Sequence, residues 1–164
     1  MSRKTLYIAY GSNLNLPQMA QRCPTAKVVG VSEIREYELL FRGSRHSAVA
    51  TVEPSKGGSV PVLLWTLKDN DLRSLDHYEG YPTLYRKEIL EVELKDRTVP
   101  AMVYIMNDGH PPGSPSDYYL NTIMEGYQRA GFDTEILEDA VDKSIRMADE
   151  QEPEQENLFG LKWW

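Results

Sequence analysis

The stretch TLYIAYGSNL, residues 5–14, decides how the chain folds near its N-terminal end. Residues 5–10 are β-branched or aromatic for the most part, a composition typical of a strand, and Gly11 ends the run. Asn15 then provides a cap for a short helix, with Pro17 in the first turn, where its missing N–H costs nothing. The stretch therefore predicts a strand, a glycine turn and the start of a helix.

Outward from this stretch, the sequence predicts more strands before most of its helix. We expect strands at 26–31, 36–42, 46–52, 59–67, 84–94 and 98–106, with a turn at Gly57-Gly58. We expect helices at 69–80, 116–130 and 134–148, because capping residues precede them and apolar residues recur at helical spacing. This order favours the α+β class over alternating α/β. We predict one α+β domain with a mixed, barrel-like β-sheet and flanking helices.

The 164 residues are close to one typical domain length. The net charge of −7 is unevenly placed, because residues 149–156 contain five acids and no base. We assign the domain to residues 1–148 and predict an acidic, flexible C-terminal tail at 149–164. The remaining body is close to neutral, so it offers no basic surface for nucleic acid.

Several classes of protein are excluded by simple counts. No apolar run approaches the roughly 20 residues that a membrane helix needs, and the basic start lacks a signal-type apolar core. A single cysteine, Cys23, suits a reducing compartment, and the three histidines show no zinc-ligand spacing. We therefore expect a cytoplasmic monomer or homodimer with no metal, no cofactor, and no membrane or nucleic-acid partner. Carboxylate metal sites stay open at this stage.

Residues 10–14 are the first candidate for a functional site. Free N–H groups at a glycine turn and at a helix N-terminus bind anions or an oxyanion. The alternative is an ordinary turn in which Ser12 and Asn13 act as caps. We do not expect Ser12 to be a nucleophile, because the sequence lacks a Gly-x-Ser-x-Gly elbow and no histidine can be assigned as its base.

Glu79 is the second candidate, at the end of the helix that Gly80 terminates. The helix dipole and apolar neighbours both disfavour its carboxylate and so raise its pKa, which suits a general acid or base near neutrality. The alternative is a surface glutamate at a helix terminus.

A third signal is the excess of tyrosine, ten against three phenylalanines. Those near the predicted turns are Tyr10, Tyr78, Tyr81, Tyr85, Tyr118 and Tyr119.

Three segments together resemble the γ-glutamylcyclotransferases and the wider superfamily that includes the avirulence-induced-gene-like proteins. They are Tyr10-Gly11-Ser12-Asn13-Leu14, Leu75-Asp76 with Glu79-Gly80, and Pro111-Pro112 through Ser116, Tyr119 and Gly126. The resemblance covers about residues 5–132. The insertion-like segment 113–115 departs from the family pattern, and so do the helix at 134–148 and the residues after it.

The resemblance implies an enzyme that converts a γ-glutamyl amine or peptide into 5-oxoproline and a free amine, without a cofactor. It assigns the role of general acid/base to Glu79. Its implied substrate-binding residues, together with Tyr85 from the tyrosine set, are Tyr10, Gly11, Ser12, Asn13, Leu14, Tyr85 and Tyr119. Tyr118 replaces Tyr119 if the alignment slips by one residue.

Two alternatives to an enzyme stay open. One is a non-catalytic module of the same fold that holds a γ-glutamyl or other small ligand. The other is an interaction protein whose acidic tail and Trp163-Trp164 dock a partner. Glu79 favours the enzyme over the binding module. The leaving amine is left open between an amino acid, a Cys-Gly dipeptide, a lysine side chain and a biosynthetic intermediate.

Overall fold

The computed structural model describes the backbone of residues 4–160 and the side chains of residues 4–151. Within that range the chain forms one α+β domain, as predicted. Its strands are β1 (Thr5–Ala9), β2 (Lys27–Arg42), β3 (Val49–Leu67), β4 (Tyr85–Leu94) and β5 (Arg97–Met106). Its helices are α1 (Leu16–Arg22), α2 (Asp69–Glu79), α3 (Asp117–Ala130) and α4 (Thr134–Gly160), with a 3₁₀ turn at Ser12–Leu14 after β1.

The five strands form one mixed sheet in the order β2-β3-β1-β5-β4. Only β1 and β5 are parallel, and the other neighbours are antiparallel. The edge strands β2 and β4 approach each other, because Arg35 pairs with Glu93 at 3.3 Å. A Cβ at Gly30 would lie 2.9 Å from the Leu94 side chain. No ladder joins these edges, so the sheet curls towards a barrel but stays open.

The hairpin of β2 and β3 corrects the predicted strand boundaries. Strands expected at 26–31 and 36–42 are one strand, and so are those expected at 46–52 and 59–67. The predicted turn at Gly57-Gly58 is wrong, because the register shifts there and a bulge forms instead. Glu36 and Gly57 both have positive φ, 66° and 80°, and the Gly57 amide donates to the Glu36 carboxylate at 2.8 Å. Such a glycine looks like a turn in sequence, but here the chain continues in the same direction.

The bulge divides the hairpin into two halves, and each half contacts different strands of the sheet. The half that contains residues 63–67 pairs with β1. The other half reaches the ends of β4 and β5, where the Met106 amide donates to Thr51 Oγ1 at 3.0 Å. The Tyr85 hydroxyl donates to the Ala50 carbonyl at 2.6 Å. A non-local contact thus brings residues 49–52 over the C-terminal end of β1.

Local signals fix the helix ends as predicted. The Asn15 side chain accepts from the Gln18 amide at 3.1 Å, and Ser116 Oγ accepts from the Tyr119 amide at 3.3 Å. Gly80 ends α2 in the left-handed conformation, with a φ of 64°. None of the described helices is long and apolar enough to cross a membrane.

Helix α4 continues to Gly160, beyond residue 148, where loss of the apolar pattern predicted its end. An apolar pattern at helical spacing shows where a helix packs against the core, as at the buried Leu137 and Ala140, but it does not show where the helix ends. Glutamate and glutamine favour a helix without such packing, so the acidic run 149–156 remains helical. The flexibility of 149–164 stays a prediction, and Trp163-Trp164 lie outside the described residues.

Candidate active site

A small cavity lies where β1 ends and the 3₁₀ turn begins. Its volume is about 20 Å³, room for one water molecule. Tyrosines form half of its wall, and the glycine turn, Ala50 and Glu79 form the rest. The lining residues are Tyr7, Tyr10, Gly11, Ser12, Asn13, Ala50, Glu79, Tyr85, Tyr104 and Tyr119.

The structure therefore brings Glu79 together with all the predicted binding residues except one. Leu14 is buried but does not line the cavity. Its side chain instead packs against helix α3, where a Cβ at Gly126 would lie 2.6 Å from Leu14 Cβ. Gly126 thus permits close contact between α3 and the turn, and Leu14 is a packing residue rather than a wall of the cavity.

The turn after β1 contains residues that line the cavity and whose backbone amides lie outside its internal hydrogen bonds. Its first internal hydrogen bonds run from the Leu14 amide to the Gly11 carbonyl at 3.0 Å and from the Asn15 amide to the Ser12 carbonyl at 3.1 Å. The amides of Ser12 and Asn13 precede these bonds and have no acceptor among the described residues. The prediction of free amides at this turn agrees with this geometry.

A side chain at Gly11 would be crowded. A Cβ there would lie 3.2 Å from Ala50 Cβ and 3.7 Å from the Tyr119 hydroxyl. Residue Ala50 of β3 and residue Tyr119 of α3 are therefore both packed closely against the turn.

Glu79 closes the cavity from the C-terminal end of α2. Burial raises the pKa of its carboxyl to about 7, and the nearby Arg22 charge and a hydrogen bond from Asn13 lower that pKa to a smaller extent. The Asn13 Nδ2–Oε1 distance is 3.4 Å, which is long for a hydrogen bond. The residue as a whole is partly exposed at the helix end, but its carboxyl lines the cavity. The expectation of a buried glutamate with a raised pKa is in agreement with this arrangement.

Three of the five tyrosine hydroxyls around the cavity, those of Tyr10, Tyr85 and Tyr119, are held by backbone groups. Tyr10 donates to the Tyr104 carbonyl at 2.7 Å, and the Tyr119 hydroxyl accepts from the Ala50 amide at 3.0 Å. Burial raises the pKa of both Tyr10 and Tyr119, so these side chains are neutral near pH 7. Tyr118 instead is 76% exposed, so the geometry favours Tyr119 over Tyr118 as the residue at the cavity.

Sequence reasoning missed Tyr7, Tyr104 and Ala50. The rings of Tyr7 and Tyr104 meet edge to face, 5.8 Å apart, in the adjacent parallel strands β1 and β5. The tyrosine excess is the signal that could identify them, but both lie inside strands and away from the predicted turns. Ala50 carries no local signal, since contacts between the hairpin and the ends of β4 and β5 bring it to the site.

Two titratable residues that precede Glu79 on α2, Asp76 and His77, do not line the cavity. Asp76 pairs with Lys87 at 3.0 Å, and His77 is exposed, so these two side chains do not form a catalytic pair. Among the described residues, no group of three or more histidine, cysteine, aspartate or glutamate side chains could hold a metal ion.

The fold and the site define an open-barrel α+β domain with one buried acid facing a glycine turn. The chain belongs to the family described as gamma-glutamyl cyclotransferase, AIG2-like, whose family model matches residues 7–126. This confirms the expected superfamily.

Named relatives extend over most of the chain. A human protein named gamma-glutamylcyclotransferase is 28% identical over 144 residues, which covers 81% of this chain and 75% of the relative. A mouse protein of the same name is 27% identical over the same shares. A solved structure named gamma-glutamyl cyclotransferase superposes with a TM-score of 0.75 at 26% identity, covering 84% of this chain and 86% of that structure.

Proposed function

We propose that this protein is a cyclotransferase that converts a γ-glutamyl amine or peptide into 5-oxoproline and a free amine. The observation that carries the proposal is the placement of Glu79, whose pKa of about 7 suits proton transfer, on the same cavity as the turn at Ser12 and Asn13. The family and the names of its relatives support the same reaction.

The reaction needs no nucleophile from the protein. The α-amine of the substrate attacks its own γ-carbonyl carbon, a C–N bond closes the five-membered lactam, and the C–N bond to the leaving amine breaks. The α-nitrogen loses two protons in all, since it starts as an ammonium with three hydrogens and ends as a lactam N–H. Glu79 accepts them one after the other and passes each to the departing nitrogen, which leaves as an ammonium group. One carboxyl group therefore serves as base and then as acid, and the enzyme needs no cofactor.

The raised pKa of Glu79 reduces the cost of the first proton transfer. An ordinary glutamate is roughly 3.5 pH units more acidic than an α-ammonium group, which makes the transfer uphill by about 5 kcal/mol. With Glu79 at about 7, the gap falls to roughly one unit, or about 1.4 kcal/mol. Burial of the Glu79 carboxyl in the cavity wall thus lowers the free-energy cost of the proton transfer.

The amides of Ser12 and Asn13 are the donors for the oxygen that becomes negatively charged during attack. They have no acceptor among the described residues, so a substrate oxygen can bind them without breaking an existing bond. Removing one such donor typically costs about 10²–10³ in rate. The same turn would also bend the substrate into the geometry for ring closure.

Substrate access requires a side chain to move, because the cavity of about 20 Å³ holds only a water molecule. Tyr78 is the side chain best suited to move. It is 42% exposed, and its hydroxyl lies 2.9 Å from Ser12 Oγ. Its displacement would open the cavity towards solvent beside Ser12 and leave the buried tyrosines in place.

The proposal is tested by incubating the purified protein with a panel of γ-glutamyl amides and measuring 5-oxoproline. The panel includes γ-glutamyl amino acids, glutathione and γ-glutamyl-lysine, so the productive member identifies the leaving amine. Glu138→Gln, at an exposed position of α4, is the matched control for variants of Glu79. Binding of these compounds without 5-oxoproline formation would contradict an enzyme and favour a binding module.

A further inference from the structure

Arg22 contacts the site from outside the cavity. It ends helix α1, where a cation is favoured by the helix dipole. Its guanidinium donates to Asn13 Oδ1 at 2.7 Å and also to the Gln18 side chain, and it stacks over the Tyr78 ring at 3.7 Å from the centre. Among the described side chains, no carboxylate forms an ion pair with Arg22.

The contact with Arg22 determines which way the Asn13 amide points. A guanidinium has only donors, so its partner on Asn13 must be the oxygen. The Asn13 NH₂ group then faces the opposite way, where it donates to the Tyr7 hydroxyl at 2.9 Å and to Glu79 Oε1 at 3.4 Å. Arg22, Asn13 and Glu79 therefore form a chain in which each orientation follows from the previous one.

We propose that Arg22 is a positioning residue, whose guanidinium holds the Asn13 amide so that its NH₂ group, and not its oxygen, faces the Glu79 carboxyl. The inference rests on the proposed role of Glu79 as the proton carrier. An N–H donor stabilises the carboxylate, the form that accepts the substrate proton. A flipped amide would present an oxygen, which accepts a hydrogen bond from the carboxylic acid and favours the protonated form.

The other groups that face Glu79 do not supply this effect. The tyrosines of the cavity come from β1, β4, β5 and α3, and burial raises the pKa of each, so they are neutral near pH 7. They are Tyr7, Tyr10, Tyr85, Tyr104 and Tyr119. On α2 itself, Asp76 is held by Lys87 and by the Tyr104 hydroxyl, and Tyr78 lies beneath the Arg22 guanidinium. Of the described cations, Arg22 is the one whose charge lowers the pKa of Glu79.

The experiment follows the Glu79 carboxyl by ¹³C NMR across pH, with Glu79→Gln to identify its resonance, and follows kcat/KM across pH in parallel. Arg22→Met should raise both midpoints by about one pH unit. Arg22→Lys, which retains a cation and only donors, should restore at least half of that shift. Arg73→Met, at an exposed position of α2, is the control and should leave both midpoints unchanged.

A double-mutant cycle separates positioning from charge alone. If Arg22 acts through the Asn13 amide, Arg22→Met should shift the Glu79 midpoint by less than half as much in an Asn13→Ala background. An equal shift in both backgrounds, or no shift in folded Arg22→Met, would overturn the inference. If Asn13→Ala does not fold, Asn13→Ser replaces it.

The two readouts keep this inference separable from the proposed function. A protein that releases no 5-oxoproline would contradict the proposed function. The NMR titration would still decide whether Arg22 controls the protonation of Glu79.

Discussion

Helix α2 carries a buried carboxyl group near each end, and the two are in opposite situations. Asp71, near the N-terminal end, is fully buried and accepts hydrogen bonds from Thr25 Oγ1 at 2.7 Å and from the Lys68 amide at 3.0 Å. Glu79, the last residue of the helix, accepts a single long hydrogen bond of 3.4 Å from Asn13.

The difference shows that one helix can hold a carboxyl group with several hydrogen-bond donors at one end and a carboxyl group with few donors at the other. At the N-terminal end, free amides and the positive end of the dipole stabilise the negative charge of Asp71. At the C-terminal end the dipole is adverse and donors are few, so burial dominates and raises the pKa of Glu79 to about 7. The two ends of α2 therefore differ in how many hydrogen-bond donors meet a carboxyl group that is removed from solvent.

The largest expected effect is on turnover. Glu79→Gln removes the proposed proton carrier, so 5-oxoproline formation should fall by about 10²–10⁴. The fold should be retained, since glutamine matches the shape of glutamate. The check is kcat for folded protein, with Glu138→Gln as the control. A near-normal rate would show that Glu79 does not carry the proton.

The second expected effect is on the pH dependence of stability. The pKa of Glu79 rises from its ordinary value of 4.5 to about 7 on folding, so the native state binds the proton more tightly. This contribution to stability is fully present below about pH 4.5 and is lost as pH rises through 7, a change of about 3 kcal/mol.

Glu79→Gln lacks this titration, so the variant should gain stability relative to the wild type as pH rises from 5 to 8. Urea unfolding of both proteins at the two pH values measures the difference. A constant difference between wild type and variant would show that the pKa of Glu79 is not raised on folding.

A smaller effect is expected at the other end of the helix. Asp71→Asn replaces an acceptor oxygen of a fully buried side chain with an NH₂ group, so the Thr25 hydroxyl or the Lys68 amide loses its partner. Unfolding free energy should fall by about 1–3 kcal/mol. The kcat of the folded protein should be unchanged. Loss of kcat at full stability would mean that Asp71 also serves the reaction, and the contrast between the two ends would fail.

The smallest effect is expected from a pair of neighbouring tyrosines. Tyr119→Phe leaves the buried Ala50 amide without its acceptor, so it should cost about 1–2 kcal/mol of stability and reduce turnover. Tyr118→Phe alters an exposed hydroxyl and should change stability by no more than about 0.5 kcal/mol. Thermal unfolding and kcat of the two variants compare them, and equal effects would contradict the assignment of Tyr119 to the cavity.

The sequence alone predicts the features of this fold that depend on residues close together in the chain, and it misses those that depend on distant contacts. The caps at Asn15 and Ser116 are local, and both were predicted. The pKa of Glu79 was predicted in direction, because a helix C-terminus and apolar neighbours are visible in sequence. The bulge opposite Glu36 was mistaken for a turn, since a glycine pair does not show whether the chain reverses.

The parts of the site that the sequence did not predict come from distant contacts. Ala50 reaches the cavity only because the hairpin crosses the ends of β4 and β5. Tyr104 reaches it through the parallel pairing of β1 with β5. The bond between Arg22 and Asn13 joins residues nine apart that lie in different elements, so no periodic pattern marks it.

The central claim is that the Glu79 carboxyl, with a pKa near 7, carries the proton of the reaction. The most direct test compares two titrations of one protein: the ¹³C resonance of the Glu79 carboxyl, and the acidic limb of kcat/KM for 5-oxoproline formation. Because kcat/KM reports groups of the free enzyme, the two midpoints should coincide near pH 7. A carboxyl that titrates near its ordinary value of 4.5, or a kinetic limb that does not follow it, would contradict the claim.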